Sequence, residues 1–145
     1  MVSAVRASGA EVSDALPLAR QLQTMGMQLY GMQPPTGYSM KADAWVNSSA
    51  LLGRMNFALA LTAGKLKGVQ VDSDHLLGTT GLPGDTQATL ASLEASLLAG
   101  DVSRQTHDTI VAQMNNSKPG ETKTAPPGTS TIAGLLLGSP EFQRR

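Results

Sequence analysis

Apolar residues recur at three- and four-residue spacing along most of this chain, and glycine or asparagine ends most of these runs. The segment after Asp14 shows the pattern clearly, with Leu18, Leu22, Met25 and Leu29. This period places the apolar side chains on one face of an α-helix, whereas a half-buried strand alternates at every second residue. No strand of useful length is predicted, so the apolar faces must be buried by packing helix on helix.

Capping residues predict where the helices begin and end. Serine, threonine, asparagine and aspartate side chains accept hydrogen bonds from the free N–H groups of a first turn, and glycine ends helices in the left-handed conformation. The predicted starts are Ser13 or Asp14, Asn47 or Ser48, Asp85 or Thr86, Ser103, about Ser130, and Ser139 for a final turn; a short N-terminal helix ends at Gly9. The helices on either side of Gly100 are predicted to form an antiparallel hairpin because their link is short.

Two segments are predicted to lie outside the helices. The short alternation Val69–Val71 opens a long glycine-containing connection, which we interpret as a loop, with a two-stranded piece as the less favoured alternative. Residues 117–128 are polar and proline-rich and lack large apolar groups, which is the composition of a flexible internal linker.

The helix that begins at Asn47 or Ser48 is predicted to be central. Apolar side chains cover much of its circumference, and one predicted face comprises Leu51, Leu52, Met55, Ala58, Leu59 and Thr62. Phe57 and Leu61 add apolar surface on another side. A helix that is apolar nearly all round is typical of a buried position.

Composition limits the core to aliphatic side chains. The chain has 145 residues, of which 41% are hydrophobic but only 3% aromatic. This length is sufficient for one domain with a sizeable core, and leucine, alanine and methionine are strong helix formers. We therefore expect residues 1–145 to form a single all-α domain, a bundle of about five helices with a Pro/Gly/aromatic loop packed on one end.

Charge and cysteine content exclude several classes of function. Eleven basic residues balance eleven acidic residues and neither sign forms a run, so no nucleic-acid partner is predicted. No apolar run approaches the roughly 18 residues of a membrane span. The chain has no cysteine, which excludes disulfides, thiolate metal sites and a cysteine nucleophile.

No catalytic, metal or cofactor site is predicted. His75 and His107 lie far apart and neither has the spacing of a zinc-binding helix. The segment Asp72–His75 begins like a calcium loop, but leucines replace the next ligand and the turn glycine. Gly64-Lys65 lacks both the earlier glycine and the following hydroxyl of a phosphate-binding loop.

One loop concentrates most of the aromatic side chains, and it has two interpretations. In the first, its rings form a stacking groove for a sugar, a peptide or a flat ligand, with polar contacts from the helix that follows. In the second, which we favour, the rings fold down as a plug over the end of the bundle. The candidate ligand-binding residues are Tyr30, Tyr38, Trp45, Arg54 and Asn56.

An ordered set of short motifs spans most of the chain. It comprises Met25-Gly26, Tyr30-Gly31, Gln33-Pro34-Pro35, Gly37-Tyr38, Trp45-Val46-Asn47, Leu51-Leu52, Arg54-Met55-Asn56-Phe57 and the terminal stretch Leu136–Gln143. In this order the motifs resemble the C-terminal part of the bacterial domain of unknown function 1800 family.

The resemblance implies architecture rather than activity, because the family has no established catalytic residues. It implies that this chain is a C-terminal fragment of a larger bacterial protein, with an extracytoplasmic location. We expect a structural or interaction module without catalysis of its own, whose partner is the missing N-terminal region or another protein. A ligand-binding or enzymatic domain that uses the aromatic loop is the alternative.

Overall fold

The computed structural model describes residues 1–26, 30–41, 48–72, 86–115 and 128–144. These residues form a mostly α-helical domain, which confirms the predicted fold class. The elements in chain order are α1 (Val2–Ala7), β1 (Glu11–Val12), α2 (Leu16–Thr24), α3 (Ser48–Thr62), β2 (Val69–Gln70), α4 (Thr86–Leu98), α5 (Arg104–Asn115), α6 (Thr129–Leu137) and α7 (Pro140–Gln143). Trp45, His75 and residues 117–127 of the predicted linker lie outside the described residues.

Side-chain hydrogen bonds lie at the starts of three helices, as caps at α5 and α7 and from the residue before the Ala15 N-cap at α2. The Asp14 carboxylate accepts the backbone N–H of Leu16 at 2.9 Å, at the start of α2. The Ser103 hydroxyl accepts the N–H of Thr106 at 3.2 Å before α5, and the Ser139 hydroxyl accepts the N–H of Phe142 at 3.4 Å before α7. Each bond satisfies a donor that the first turn of a helix leaves free.

The core is aliphatic and centres on α6. The largest side chains with less than 2% exposure are leucine and isoleucine: Leu61, Leu90, Leu93, Leu98, Ile132, Leu136 and Leu137. Helix α6 contributes Ile132, Leu136 and Leu137 to this set and packs against α3, α4 and α7. Burying each of these side chains contributes roughly 1.5–3 kcal/mol.

Helices α3 and α6 pack closely at Gly134. A Cβ on Gly134 would lie 2.7 Å from Thr62 Oγ1, closer than such atoms approach, and 3.1 Å from Leu59 Cα, a tight contact that requires a shift of a few tenths of an ångström. Further along, the Met55 Cα would lie 3.6 Å from a Cβ on Gly138. Gly134 lies opposite Leu59 and Thr62, whereas Gly138 lies opposite Met55. Residue numbers therefore rise along α6 as they fall along α3, so the two helices run antiparallel.

A short sheet ties the N-terminal segment to the chain after α3. Glu11 pairs with Gln70 and Val12 with Val69 in an antiparallel register, so residues 69–70 form the two-stranded alternative and not the favoured loop. The carbonyl of Gly68 also accepts the N–H groups of Ser13 and Asp14 at 2.9 and 3.2 Å. Strands of two residues carry too little alternation to be recognised in a sequence.

The apolar face predicted for helix α3 is buried only over its C-terminal half. The buried residues of α3 are Ala50, Phe57, Ala58, Leu61 and Thr62, of which Ala58 and Thr62 belong to the predicted face. Leu51, Leu52 and Met55, from the N-terminal half of the same face, are 50%, 59% and 39% exposed. The small side chains of Ala58 and Thr62 permit the close approach to α6.

The loop between α2 and α3 is described over residues 30–41. Tyr38 is half-buried and the other residues of this stretch are exposed. The described part of the loop therefore contributes no side chain to the hydrophobic core.

Candidate interaction surface

The five candidate ligand-binding residues occupy different environments. Tyr30 has a left-handed backbone conformation, with φ of 54°, and its side chain is fully exposed. Tyr38 is half-buried, and Trp45 lies outside the described residues. On α3, Arg54 is half-buried and Asn56 is exposed.

Arg54 and Asn56 point to different sides of α3. Residues two apart on a helix do not share a face. Arg54 lies near the N-terminus of α1, where burial of the Met1 ammonium and then the positive charge of Arg54 lower the pKa of that ammonium. The sequence predicts that these two side chains converge on one pocket with Tyr30, Tyr38 and Trp45. That convergence stays a prediction.

Three exposed apolar side chains form a surface at the start of α3. We call Leu51, Leu52 and Met55 the α3 apolar surface. Met55 lies one turn beyond both leucines, so the three side chains are neighbours on the helix. Their exposure, from 39% to 59%, is high for large apolar groups in a domain whose other leucines are mostly buried. Contiguous exposed apolar groups are typical of contact sites.

A groove lies beside this surface, between α3 and α5, with the α6–α7 junction as its floor. We call it the α3–α5 groove; its volume is about 560 Å³. Its apolar lining is Leu51, Met55, Ile110, Leu135, Gly138 and Pro140. Its polar lining is Ser103, Gln105, Thr106, Thr109, Ser139, Glu141 and Arg144.

The carboxylate of Glu141 is held in this groove by the first turn of α5. The Thr106 hydroxyl donates to Glu141 Oε1 and Oε2, with oxygen distances of 3.0 and 3.1 Å. The Ser103 hydroxyl, which donates to Thr106 Oγ1 at 3.1 Å, is the largest cause that lowers the pKa of Glu141 to about 2. The Glu141 backbone N–H, the Thr106 hydroxyl and the Ser103 backbone lower this pKa further, and desolvation opposes them. The start of a helix also favours a negative charge.

The sequence predicts both helix caps beside this contact, but it does not predict that the two helix starts lie next to each other. Ser103 and Ser139 were both predicted as helix starts, and Glu141 follows Ser139 by two residues. The contact from Thr106 to Glu141 joins residues 35 positions apart, a separation over which capping patterns carry no signal.

A family model described as Protein of unknown function (DUF1800) matches residues 1–144. The chain belongs to the DUF1800 family. This finding confirms the family resemblance, and that the chain is the C-terminal part of a family member stays a prediction. No curated protein and no solved structure matches the chain.

Other polar groups of this DUF1800 domain have structural partners. Glu94 on α4 and His107 on α5 form a hydrogen bond, with 2.7 Å between Oε1 and Nδ1, which joins the two helices. A second concavity of about 320 Å³ is lined by Gly9, Glu11, Gln70, Val71 and Asp72.

Within the described ranges no group of three or more His, Asp or Glu side chains is arranged to hold a metal.

None of the described helices of the DUF1800 domain combines the length and the apolar character needed to cross a bilayer. The longest, α3, has 15 residues, whereas about 20 are needed.

Proposed function

We propose that this DUF1800 domain is a protein-interaction module and that its contact site is the α3 apolar surface together with the α3–α5 groove. The observation that supports this proposal is the exposure of Leu51, Leu52 and Met55 on the helix that also packs most extensively against α6. An isolated surface leucine needs no explanation, but three neighbours beside an apolar groove favour a partner.

Covering this surface supplies part of the free energy that a specific contact requires. Full burial of a leucine or methionine side chain contributes about 1.5–3 kcal/mol. About half of each of the three side chains is already covered, so the remaining exposed area supplies roughly 1 kcal/mol per residue. The groove adds its own lining to this area. The partner in our proposal is the remainder of a longer protein or a separate protein.

Photocrosslinking tests this proposal with a matched control. A photoreactive phenylalanine derivative replaces Leu52 in one variant and Leu16 in another, in cells that produce the protein at its native level. Leu52 and Leu16 are 59% and 56% exposed, but Leu16 lies on α2, outside the proposed contact site. We expect position 52 to crosslink to one site, which peptide mass spectrometry locates in a second protein or in the remainder of a longer chain, and we expect no crosslink from position 16. Equal crosslinking from both positions, or no inter- or intramolecular crosslink from position 52, contradicts the proposal.

The substitution Leu52→Gln then tests whether the contact depends on the apolar side chain. Because Leu52 is exposed, its replacement is expected to leave the melting temperature of the domain unchanged within about 2 °C. The same variant is expected to lose the adduct when the photoreactive group is moved to Leu51. Leu16→Gln is the control and is expected to retain it.

Ligand binding by the aromatic loop is the second candidate. The wholly exposed ring of Tyr30 and the half-buried ring of Tyr38 favour it, because aromatic faces stack on sugars and other flat groups. A thermal-shift screen with sugars and short peptides tests it. Stabilisation that disappears in Trp45→Ala and persists in Leu52→Gln supports this candidate over the first.

A further inference from the structure

We propose that the α3–α5 groove receives a protein segment that buries apolar side chains against Leu51, Met55 and Ile110 and places a lysine or arginine against Glu141. This inference rests on the proposed interaction function and names the chemistry of the partner. It depends on the charge, the position and the surroundings of one carboxylate.

The Glu141 carboxylate is fixed in position before any partner arrives. Thr106 Oγ1 lies 3.0 and 3.1 Å from its two oxygens, and the Ser103 hydroxyl lies 3.1 Å from Thr106 Oγ1. A carboxylate has about four sites for accepting hydrogen bonds, so these donors leave capacity for a further cationic donor. A prepositioned acceptor reduces the entropy lost on binding.

The carboxylate is also ionised throughout the physiological range. The hydrogen bonds from Ser103 and its neighbours hold the pKa of Glu141 at about 2. Arg144 lines the same groove, but no ion pair within 4.0 Å joins it to Glu141 among the described residues. The negative charge is therefore available to a cation brought by the partner.

The side chains around Glu141 indicate which residues the partner segment carries besides its basic residue. Leu51, Met55, Ile110 and Leu135 make the groove largely apolar beside the charge. A segment that covers these apolar side chains would exclude water from the groove, and a hydrogen-bonded pair of opposite charges is stronger where water is excluded. The complementary segment therefore combines apolar side chains with one basic residue.

The extent of the apolar area favours a protein segment over a small amine. Leu52 lies outside the groove lining but belongs to the α3 apolar surface, so the area continues along the outside of α3. A small ligand fills a concave site and leaves such flanking residues uncovered. A helix laid across the groove covers both parts through residues spaced at three and four positions.

Three synthetic helical peptides test the inference on the purified domain. They share one face of leucines and differ at one position, which is lysine, leucine or glutamate. Methyl NMR shifts of Leu51, Met55, Ile110 and Leu135 report binding in the groove. We expect the lysine peptide to bind about tenfold more tightly than the glutamate peptide, a difference typical of one charge-assisted hydrogen bond.

Variants of the domain assign that preference to Glu141. Glu141→Gln keeps the shape of the side chain and is expected to reduce the lysine preference to less than about threefold. Thr106→Val removes only the hydroxyl that positions the carboxylate and is expected to weaken lysine-peptide binding by a smaller factor. Glu94→Gln, which alters a carboxylate outside the groove, is the matched control and is expected to change nothing.

Several outcomes overturn the inference. The inference fails if the three peptides bind with equal affinity or if the methyl resonances of the groove do not shift. It also fails if Glu141→Gln keeps the full preference for lysine, or if butylammonium alone binds as tightly as the lysine peptide. The crosslink at Leu52 decides the proposed function separately. An adduct at Leu52 together with equal peptide affinities would retain the interaction function and refute only its charge specificity.

Discussion

The substitution Gly134→Ala provides a direct test of the packing between α3 and α6. The new Cβ would lie 2.7 Å from Thr62 Oγ1, 2.8 Å from Leu59 Cδ2 and 3.1 Å from Leu59 Cα. Leu59 Cδ2 can move by rotation of its side chain, but the Cα belongs to the backbone, so α3 itself must shift. Overpacking of this kind costs about 1–3 kcal/mol, and a backbone contact places the cost near the upper end.

Helix propensity acts in the opposite direction and must be subtracted. Alanine is more favourable than glycine in a helix interior by about 1 kcal/mol. The net expectation is a loss of about 2 kcal/mol in the free energy of unfolding. For a chain of this length, that loss lowers the melting temperature by about 4–8 °C.

Gly53→Ala is the matched control on α3. Its Cβ would meet nothing closer than the Thr24 carbonyl oxygen at 3.7 Å, an ordinary contact. This variant is expected to gain about 0.5–1 kcal/mol from helix propensity alone. Thermal and urea unfolding followed by circular dichroism measure both variants. Gly134→Ala melting at or above the wild-type temperature, or both variants losing equal stability, would refute the close approach.

Three further perturbations test the site, the core and the helix contacts. Ser103→Ala removes the largest cause of the low pKa of Glu141 and is expected to raise that pKa from about 2 toward 4.5 in a carboxyl NMR titration; no change would contradict the hydrogen-bonded network. The pKa of Glu141 is lower in the folded state than in the unfolded state, so the stabilisation by Glu141 is present above pH 4.5 and is lost as the pH falls toward 2. Ser103→Ala is expected to diminish this loss of stability at low pH. Leu93→Ala, at a side chain with 0% exposure, is expected to cost about 2–5 kcal/mol in urea unfolding, and a cost below about 1 kcal/mol would be inconsistent with its burial. The Glu94–His107 pair, whose histidine is 38% exposed, is expected to show a coupling of about 0.2–1 kcal/mol in a double-mutant cycle with alanine, and a larger value would contradict solvent screening of the pair.

Local signals were sufficient to predict most helix boundaries. Hydrogen bonds of the type expected at Asp14, Ser103 and Ser139 are present, and glycines with positive φ lie beyond the ends of α2, α3 and α4 at Gly26, Gly64 and Gly100. Capping depends on a few consecutive residues, so the information lies entirely within the segment.

Features that depend on distant residues were not predictable in this way. Helix α3 is apolar nearly all round, so its periodicity does not distinguish the side that carries Leu52 from the side that carries Ala58. Contact with α6 makes that choice, through the absence of a Cβ at Gly134. The Glu141 anchor likewise depends on α5 and α7 meeting in the folded chain.

Methionine oxidation tests the interaction account most directly, because the chain carries its own control. Met55 belongs to the α3 apolar surface and is 39% exposed, whereas Met40 lies on the loop and is 99% exposed. Peroxide converts exposed methionine to the sulfoxide, and mass spectrometry measures the extent at each position. The account predicts that both methionines are oxidised in the purified domain, and that only Met40 is oxidised in cells that contain its partner. Equal oxidation of Met55 in both settings would contradict the proposed interface, and protection of Met40 alone would place the contact on the aromatic loop.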